Sequence, residues 1–318
     1  MPRSDPKRGS PAPAPAGLAR GAFLTRPRVA LVLLALPAIL HILLFRYVPL
    51  LGNVIAFQDY SLFKGLLGSP WVGLKHFVKM AGYAEFYQIL VNTLLFSLYS
   101  IVFGFPAPLI LALLLNEVRA VAFKRVTQTI LYLPHFLSWV IIGGIFLRLL
   151  APQGLVNTLL GAWFGTEPVY FIGESRYFRG IVVGIGIWKE VGWGTIIYLA
   201  AMAGIDPALY EAAIVDGAGR LRQMWSITLP SITTAIVTLF LLRIGHILDS
   251  NVEQMLVFLN PLVRNVGEVF STSMYRVGLM SMQYSYTTAI GIFRSVVSIV
   301  LVVGLNQLSR RTTGEGIY

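Results

Sequence analysis

Residues 205 to 230 read IDPALYEAAIVDGAGRLRQMWSITLP, a polar stretch between two long apolar runs. Asp206 followed by Pro207 predicts a helix that begins here, because an aspartate side chain accepts backbone N–H groups of the first turn and proline has no N–H to satisfy. Gly217 permits a sharp turn after that helix, since glycine adopts backbone angles that other residues avoid. The stretch therefore predicts two short helical segments in water, placed between two longer apolar helices.

The composition around this stretch is typical of a protein in a lipid bilayer. Hydrophobic residues make up 56% of the chain and charged residues 12%, whereas a typical soluble domain is about 25% charged. A helix that crosses the hydrocarbon core needs roughly 20 residues, and the apolar runs have this length without the alternation of barrel strands. We predict an all-α polytopic membrane protein with six transmembrane helices, at residues 29–50, 92–116, 129–150, 180–203, 231–249 and 286–308.

The basic residues predict the orientation in the membrane. Six Lys and Arg side chains precede the end of the N-terminal tail at residue 28, and such clusters mark cytoplasmic segments. The net charge of +11 is therefore attributed to topology and not to nucleic-acid binding. Both termini and the 205–230 stretch are then cytoplasmic, in a multi-pass protein of the cell (inner) membrane. A cleavable signal peptide at residues 20–50 is the competing interpretation, disfavoured because the apolar run lacks a small-x-small cleavage site.

Residues 205–230 contain three short motifs in succession: Glu211-Ala212-Ala213, then Asp216-Gly217-Ala218, then Ile227, Leu229 and Pro230. Together they resemble the EAA loop of ABC importer permeases, and the similarity extends from about residue 90 to residue 308. Segments such as FGFPAPLILALLLNEV and YLPHFLSWV are similar to permeases for oligosaccharides and polysaccharides. The resemblance implies the type I ABC importer permease fold, in which the short helix of the loop docks in a groove of a cytoplasmic ATPase.

The resemblance also implies a domain organisation, partners and a substrate. The expected segments are a disordered basic cytoplasmic tail (1–28), a first transmembrane helix with an outer loop (29–91), an ABC permease core with the coupling loop 205–230 (92–309), and a cytoplasmic C-terminal tail (310–318). The expected partners are ABC ATPase subunits, a second permease subunit, an extracytoplasmic solute-binding protein, a saccharide and membrane lipid. Since the chain lacks the G-x-x-x-x-G-K-[ST] phosphate-binding motif, ATP hydrolysis is assigned to another polypeptide. No metal, cofactor, catalytic residue or nucleic-acid partner is expected.

Charged residues inside the predicted spans indicate a candidate substrate pathway. They are Lys189, Glu190, Arg243 and Arg294. Each charge costs at least about 2.5 kcal/mol at a helix centre, and the three cations lie at a similar depth when counted from the cytoplasmic ends of their spans. We include Trp188, Trp193 and His246 in the same pathway, because aromatic rings suit the apolar faces of sugars. The alternative is that Glu190 and backbone carbonyls merely neutralise the buried cations.

Three cations against one anion favour an acidic glycan, such as a uronate-containing oligosaccharide, as the substrate. The charges alone would also suit an ion-coupled secondary transporter or channel, which is the alternative function. A membrane-bound enzyme acting on glycans is disfavoured because no acid or nucleophile constellation is present. Residues 250–285 are amphipathic and predict short outer helices that receive a substrate-delivering protein.

Two further patterns make structural predictions. Gly180 and Gly184 form a small-xxx-small motif that predicts close approach of a neighbouring helix. Polar residues at positions 243, 246, 250 and 253 recur at helical spacing, which predicts one polar stripe on the fifth span. Pro134 predicts a bend, because proline removes a backbone donor.

Overall fold

The structure, a computed structural model, describes residues 26–313. Most of the predicted N-terminal tail (1–28) and the end of the predicted C-terminal tail (310–318) lie outside the described residues. Contacts divide the chain into two units, at residues 1–52 and 53–318. Across the described residues the secondary structure is helical apart from an isolated antiparallel bridge between Gln58 and Trp71. The predicted all-α class is confirmed.

The first unit contains one apolar helix, α1 (Arg26–Ile42), which continues as a π-helical turn (Leu43–Tyr47) and a 3-10 segment that begins at Val48. Every residue from 31 to 51 is exposed. A helix that is hydrophobic on all sides and unburied by protein has the surface of a membrane span.

The second unit contains the remaining helices. In chain order they are α2 (Gly65–Gly68), α3 (Lys75–Gly82), α4 (Ala84–Tyr99), α5 (Pro106–Glu117), α6 (Val121–Tyr132), α7 (Trp139–Leu149), α8 (Leu155–Phe164), α9 (Ser175–Ala203), α10 (Pro207–Val215), α11 (Arg220–Gln223), α12 (Leu229–Ser231), α13 (Thr233–Gly245), α14 (Val252–Phe258), α15 (Arg264–Gly267), α16 (Phe270–Ser273) and α17 (Tyr284–Thr313). Further π-helical turns lie at Ser100–Gly104, Met224–Thr228 and Met274–Met280, and 3-10 turns at Leu133–Phe136 and Pro261–Val263.

Four stretches of the described chain are long and apolar enough to cross a membrane without a sharp bend. They are Leu31–Phe57, Ala84–Glu117, Ser175–Ala203 and Tyr284–Arg311. Two helix pairs pass the same test together, and the total of six agrees with the prediction when each pair counts as one span. The second span begins at Ala84, earlier than the predicted residue 92, and continues through α4, the π-helical turn and α5 to Glu117.

The predicted span at 129–150 is not one continuous helix. Val121–Phe136 and Trp139–Leu149 meet at an angle of 100°. Pro134 lies in the first turn of the 3-10 segment and cannot donate a backbone hydrogen bond. Ser138 then caps a new helix, since its hydroxyl accepts from the Ile141 N–H at 3.3 Å. The predicted bend at Pro134 is therefore a complete break of the helix.

The predicted fifth span, 231–249, is also interrupted. Arg220–Ser231 and Thr233–Gly245 meet at 63°, and α13 begins after the buried Ile232. The helix ends at Gly245. The polar residues at positions 243, 246, 250 and 253 therefore do not share one helix, and the predicted stripe is wrong.

Close packing between α9 and its neighbours positions the interior of the second unit. A Cβ atom on Gly192 would overlap the backbone of Leu131, and one on Gly194 would lie 2.9 Å from the Pro108 side chain. By contrast, no atom lies within 4 Å of the Cβ positions of Gly180 and Gly184. Of these four α9 glycines, Gly192 and Gly194 permit close approach of a neighbouring helix, and the predicted pair does not.

A buried carboxylate connects the helices at the end of the molecule that contains α14 to α16. The Glu268 side chain is 5% exposed and accepts from Nε of Arg264 and Nε of Arg276, each at 2.7 Å. Arg276 also contacts Glu85, at the start of α4, at 2.7 Å. These ion pairs join segments that are far apart in the sequence.

We expect Glu268→Gln to destabilise the protein, because it leaves two guanidinium groups without their shared charge. Breaking a fully buried pair costs about 3–5 kcal/mol, and the partly exposed arginines reduce this to about 1–3 kcal/mol. Thermal unfolding of the detergent-purified protein measures the change. Glu167→Gln, at an exposed position, is the matched control. Equal melting temperatures for the two variants would contradict the assigned role of Glu268.

Candidate functional site

A cavity of about 600 Å³ lies in the second unit, where α4, the π-helical turn after it, α9 and the segment between α13 and α14 meet. Its polar lining residues are Ser97, Ser100, Glu190, His246, Arg243, Asp249, Ser250, Asn251 and Gln254. Its apolar lining includes Phe96, Ile101, Pro108, Trp139 and Trp193. An aromatic and aliphatic wall with a few polar groups is the usual composition of a small-molecule site.

Glu190 enters the lining from α9 and is held by two cationic or polar groups. Its Oε2 lies 2.8 Å from Nδ1 of His135, and its Oε1 lies 3.6 Å from Nζ of Lys189. The His135 ring stacks on Trp193, with ring centroids 4.4 Å apart and an interplanar angle of 3°. The break in the span after α6 therefore supplies the residue that orients Glu190.

Lys189 itself points away from the cavity. Lys189 is 6% exposed, and its ammonium group donates to the backbone carbonyls of Pro134 and His135. These carbonyls lie at the break, and the Pro134 carbonyl also accepts from the Leu137 N–H at 3.2 Å. The structure thus places Lys189 in the alternative role considered from sequence, in which carbonyls and Glu190 neutralise it.

Asp249 is a lining residue that the sequence reasoning missed. Its Oδ1 lies 2.9 Å from Nη2 of Arg294 on α17, and its Oδ2 lies 3.1 Å from Nδ1 of His246. Asp249 stands at the last position of the predicted fifth span, where a carboxylate was a signal that could have been used. Its presence changes the charge count of the whole group, because Lys189, Arg243 and Arg294 are balanced by two carboxylates, Glu190 and Asp249, and the predicted excess of two positive charges falls to one.

Arg243 belongs to the last turn of α13, and its side chain contacts the π-helical turn that follows α4. Its guanidinium donates to the hydroxyl of Ser100, the first residue of the π-helical turn Ser100–Gly104. Such turns are frequent at functional sites because the extra residue re-aims side chains.

The structure brings four of the predicted pathway residues together in the lining: Glu190, Trp193, Arg243 and His246. It does not place Trp188, Lys189 or Arg294 there. Trp188 packs against Phe146 with ring centroids 5.4 Å apart, and Arg294 acts on the lining through its ion pair with Asp249. Periodicity along one helix cannot show which of its sides faces a cavity formed by several elements.

The opening stretch of the sequence folds as its residues predict. Asp206 caps α10, and its side chain accepts from the Ala208 N–H at 2.9 Å. The helix ends at Val215, and Gly217 takes a left-handed conformation with φ +74°. The N–H of Ala218 then donates to the carbonyl of Ala213 at 2.8 Å, which satisfies an unpaired carbonyl at the helix end. The predicted start of the helix and the glycine turn are confirmed.

The surface of α10 is uncovered, since none of its residues is buried. Leu209 is 49% exposed, Ile214 64% and Val215 87%. Glu211, Ala212, Asp216 and Gly217 are likewise exposed, whereas Ala213 and Ala218 are half-buried. Exposed apolar groups next to charged ones are the composition of a surface that binds another protein.

One side-chain hydrogen bond joins α10 to the beginning of the next span. The hydroxyl groups of Tyr210 and Thr228 lie 2.9 Å apart, and Thr228 is 2% exposed. The neighbouring predicted residues continue this path: Ile227 and Leu229 are half-buried and Pro230 is exposed, with Leu229 packed on the buried cluster that contains Ile232. Beyond Ile232 the chain continues as α13 to Arg243. The segment therefore connects an exposed helix to the cavity lining.

Comparison with known proteins identifies the family of this chain. Residues 104–314 match the family described as binding-protein-dependent transport system inner membrane component, and the chain belongs to this family. It is 48% identical over 289 residues to the polygalacturonan/rhamnogalacturonan transport system permease protein YteP of Bacillus subtilis (strain 168), covering 91% of this chain and 90% of that protein. It is 45% identical to protein LplB of the same organism, covering 91% of both.

A solved structure shows the same fold. A chain in the crystal structure of a bacterial alginate ABC transporter in complex with an alginate pentasaccharide-bound periplasmic protein superposes with a TM-score of 0.85 at 40% identity, covering 92% of this chain and 98% of that one. The protein is therefore a membrane permease of an ABC importer with the type I fold, and not an enzyme. The family predicted from the motifs in residues 211–230 is confirmed. The alternative function, an ion-coupled secondary transporter or channel, is wrong.

We expect Tyr210→Phe to reduce substrate uptake by the assembled importer about 2-fold to 10-fold, because a hydrogen bond contributes about 0.5–1.5 kcal/mol. Thr228→Val removes the same bond from the other side and should have the same effect, while the double variant should add little. Uptake by cells with equal amounts of permease in the membrane is the measurement. Tyr275→Phe is the control, since the Tyr275 hydroxyl makes no hydrogen bond to the residues that the structure describes. Additive losses would exclude a direct coupling between the two hydroxyls.

Proposed function

We propose that this permease subunit translocates an acidic oligosaccharide across the cytoplasmic membrane, driven by ATP hydrolysis on separate subunits that bind α10. The observation that supports the mechanism best is the exposed helix α10, connected through Thr228 to the span that contributes Arg243 to the cavity. The related proteins support the substrate class, because one is named for polygalacturonan and rhamnogalacturonan and one structure concerns the import of the acidic polysaccharide alginate.

Docking of α10 in an ATPase groove follows from its surface. Leu209, Ile214 and Val215 supply apolar contact area, and Glu211 and Asp216 supply negative charge. Burying the apolar side chains releases about 25 cal/mol per Å², and the charges select and orient the partner. We assign the coupling role to the residues predicted from sequence: Glu211, Ala212, Ala213, Asp216, Gly217, Ala218, Ile227, Leu229 and Pro230.

Motion of the ATPase subunits then reaches the cavity through covalent and packed contacts. A shift of α10 pulls on Thr228 through Tyr210, and the buried Ile232 passes the movement to α13 at the 63° bend. Such hinges convert small displacements into a rotation of helices. Arg243 and the other lining residues would face alternate sides of the membrane, which is the alternating access that import requires.

The remaining assignments concern topology and partners. Both termini and α10 lie in the cytoplasm, and residues 92–309 form the permease core. A second permease subunit completes the pathway on the open side of the cavity. The short helices α14 to α16 lie on the outer face, where an extracytoplasmic solute-binding protein delivers the saccharide. The ion pairs of Glu268 give this receiving surface a fixed shape.

We expect Gly217→Val to separate ATP hydrolysis from uptake in the reconstituted importer. A β-branched residue at φ +74° costs about 1–2 kcal/mol and reorients the end of α10, so uptake should fall about 10-fold. Gly217→Asn should be milder, because asparagine tolerates the left-handed region. The matched control is Gly219→Val at φ −67°. Normal sugar uptake per ATP in Gly217→Val would exclude a role of this turn in coupling.

The natural absence of cysteine makes the proposed topology testable by labelling. Arg220→Cys and Glu167→Cys both lie at exposed positions on opposite sides of the proposed topology. A membrane-impermeant maleimide should modify Glu167→Cys in intact cells, and Arg220→Cys only after permeabilisation. Labelling of Arg220→Cys from outside intact cells would refute the cytoplasmic position of α10.

A further inference from the structure

The two carboxylates in the cavity lining are already paired. Glu190 lies 3.6 Å from Nζ of Lys189, and Asp249 contacts Arg294 at 2.9 Å. Neither cation belongs to the cavity lining. A paired carboxylate repels an incoming anion less, because the field of its partner cancels part of its charge.

The third charged group, Arg243, is different. Its side-chain partner is the neutral hydroxyl of Ser100, and no carboxylate of residues 26–313 lies within ion-pair distance of its guanidinium. A guanidinium has five N–H donors, of which Ser100 accepts one. Arg243 is therefore the one Lys or Arg side chain among the described lining residues, and it has donors to spare.

Gly104 lies beside Arg243 in the lining of the cavity. Gly104, the last residue of the π-helical turn, has no side chain, and a Cβ atom placed there would lie 3.9 Å from Nη2 of Arg243. Both Gly104 and Arg243 belong to the lining of the cavity.

We propose that Arg243 binds a carboxylate of the transported oligosaccharide, with Ser100 holding the guanidinium in position, and that this contact selects uronate-containing over neutral sugars. The proposal rests on the proposed import of acidic oligosaccharides and names the group responsible. Arginine pairs with carboxylates through two parallel hydrogen bonds, which are strong where water is scarce.

The rest of the cavity suits a short piece of a sugar chain. Its volume of about 600 Å³ falls in the range of small-molecule sites. Trp193 is 46% exposed and lines the same space, so it offers an aromatic surface to the apolar face of a sugar ring. Gln254 and Asn251 supply amide groups for hydroxyls.

The test compares two substrates in the complete importer, reconstituted in proteoliposomes with its ATPase, partner permease and binding protein. The substrates are trigalacturonate and the trisaccharide in which its carboxylates have been reduced to alcohols. The ratio of the two uptake rates is measured for the wild type and each variant. Selection by the binding protein enters every ratio equally, so it cancels when a variant is divided by the wild type.

We expect Arg243→Gln to lower the acidic-to-neutral ratio about 10-fold to 100-fold, in line with the loss of a charge-assisted hydrogen-bonded contact. Arg243→Lys keeps the charge without the planar pair of donors and should give an intermediate ratio. Arg148→Gln is the matched control: it removes an exposed arginine in the last turn of α7, outside the lining, and should leave the ratio unchanged. An unchanged ratio in Arg243→Gln, or an equal fall in Arg148→Gln, would overturn the proposal.

A second measurement covers the case in which Arg243→Gln does not assemble. Ser100→Ala keeps the arginine and frees it from its partner, so the ratio should fall less than in Arg243→Gln but remain below that of the wild type. Wild-type preference for the neutral trisaccharide would refute the acidic substrate class itself. A wild-type preference for trigalacturonate that survives both Arg243→Lys and Ser100→Ala would refute the role of Arg243 alone.

Discussion

A chain that crosses hydrocarbon has to satisfy its own backbone hydrogen bonds, and this constraint explains the arrangement around Lys189. The span that begins with α6 breaks after Phe136, so the carbonyl groups at the break lie outside a regular α-helix. The ammonium group of Lys189 donates to two of them, at Pro134 and His135. With Lys189 held in this way, the adjacent Glu190 projects into the cavity, where His135 fixes its carboxylate.

The cavity is formed where regular helices are interrupted. The π-helical turn at Ser100–Gly104, the break at Pro134 and the end of α13 at Gly245 all contribute lining residues or their partners. Irregular backbone at membrane depth is tolerated when it lines a polar cavity. The same interruptions bring together charges from four elements, so that two carboxylates are paired and one guanidinium remains available.

One continuous piece of chain connects the exposed helix α10 to the lining of the cavity at Arg243. From α10 the path runs through the Tyr210–Thr228 hydrogen bond and the buried Ile232 to α13, which ends beside the cavity. The 63° bend lies between them. In the proposed mechanism, movement of α10 would change the direction of α13 and so act on the lining residues without contacting them.

Local chemistry was sufficient to predict the helical class, the apolar spans, the Asp206 cap and the turn at Gly217, because each depends on nearby residues and on the length of an apolar run. The sequence also contained the charged residues of the cavity. It did not show that Lys189 faces a helix break, that Asp249 pairs with Arg294, or that position 243 and position 246 belong to different structural segments. Those facts depend on how the helices break and on which residues from distant segments meet, and both are decided by tertiary packing.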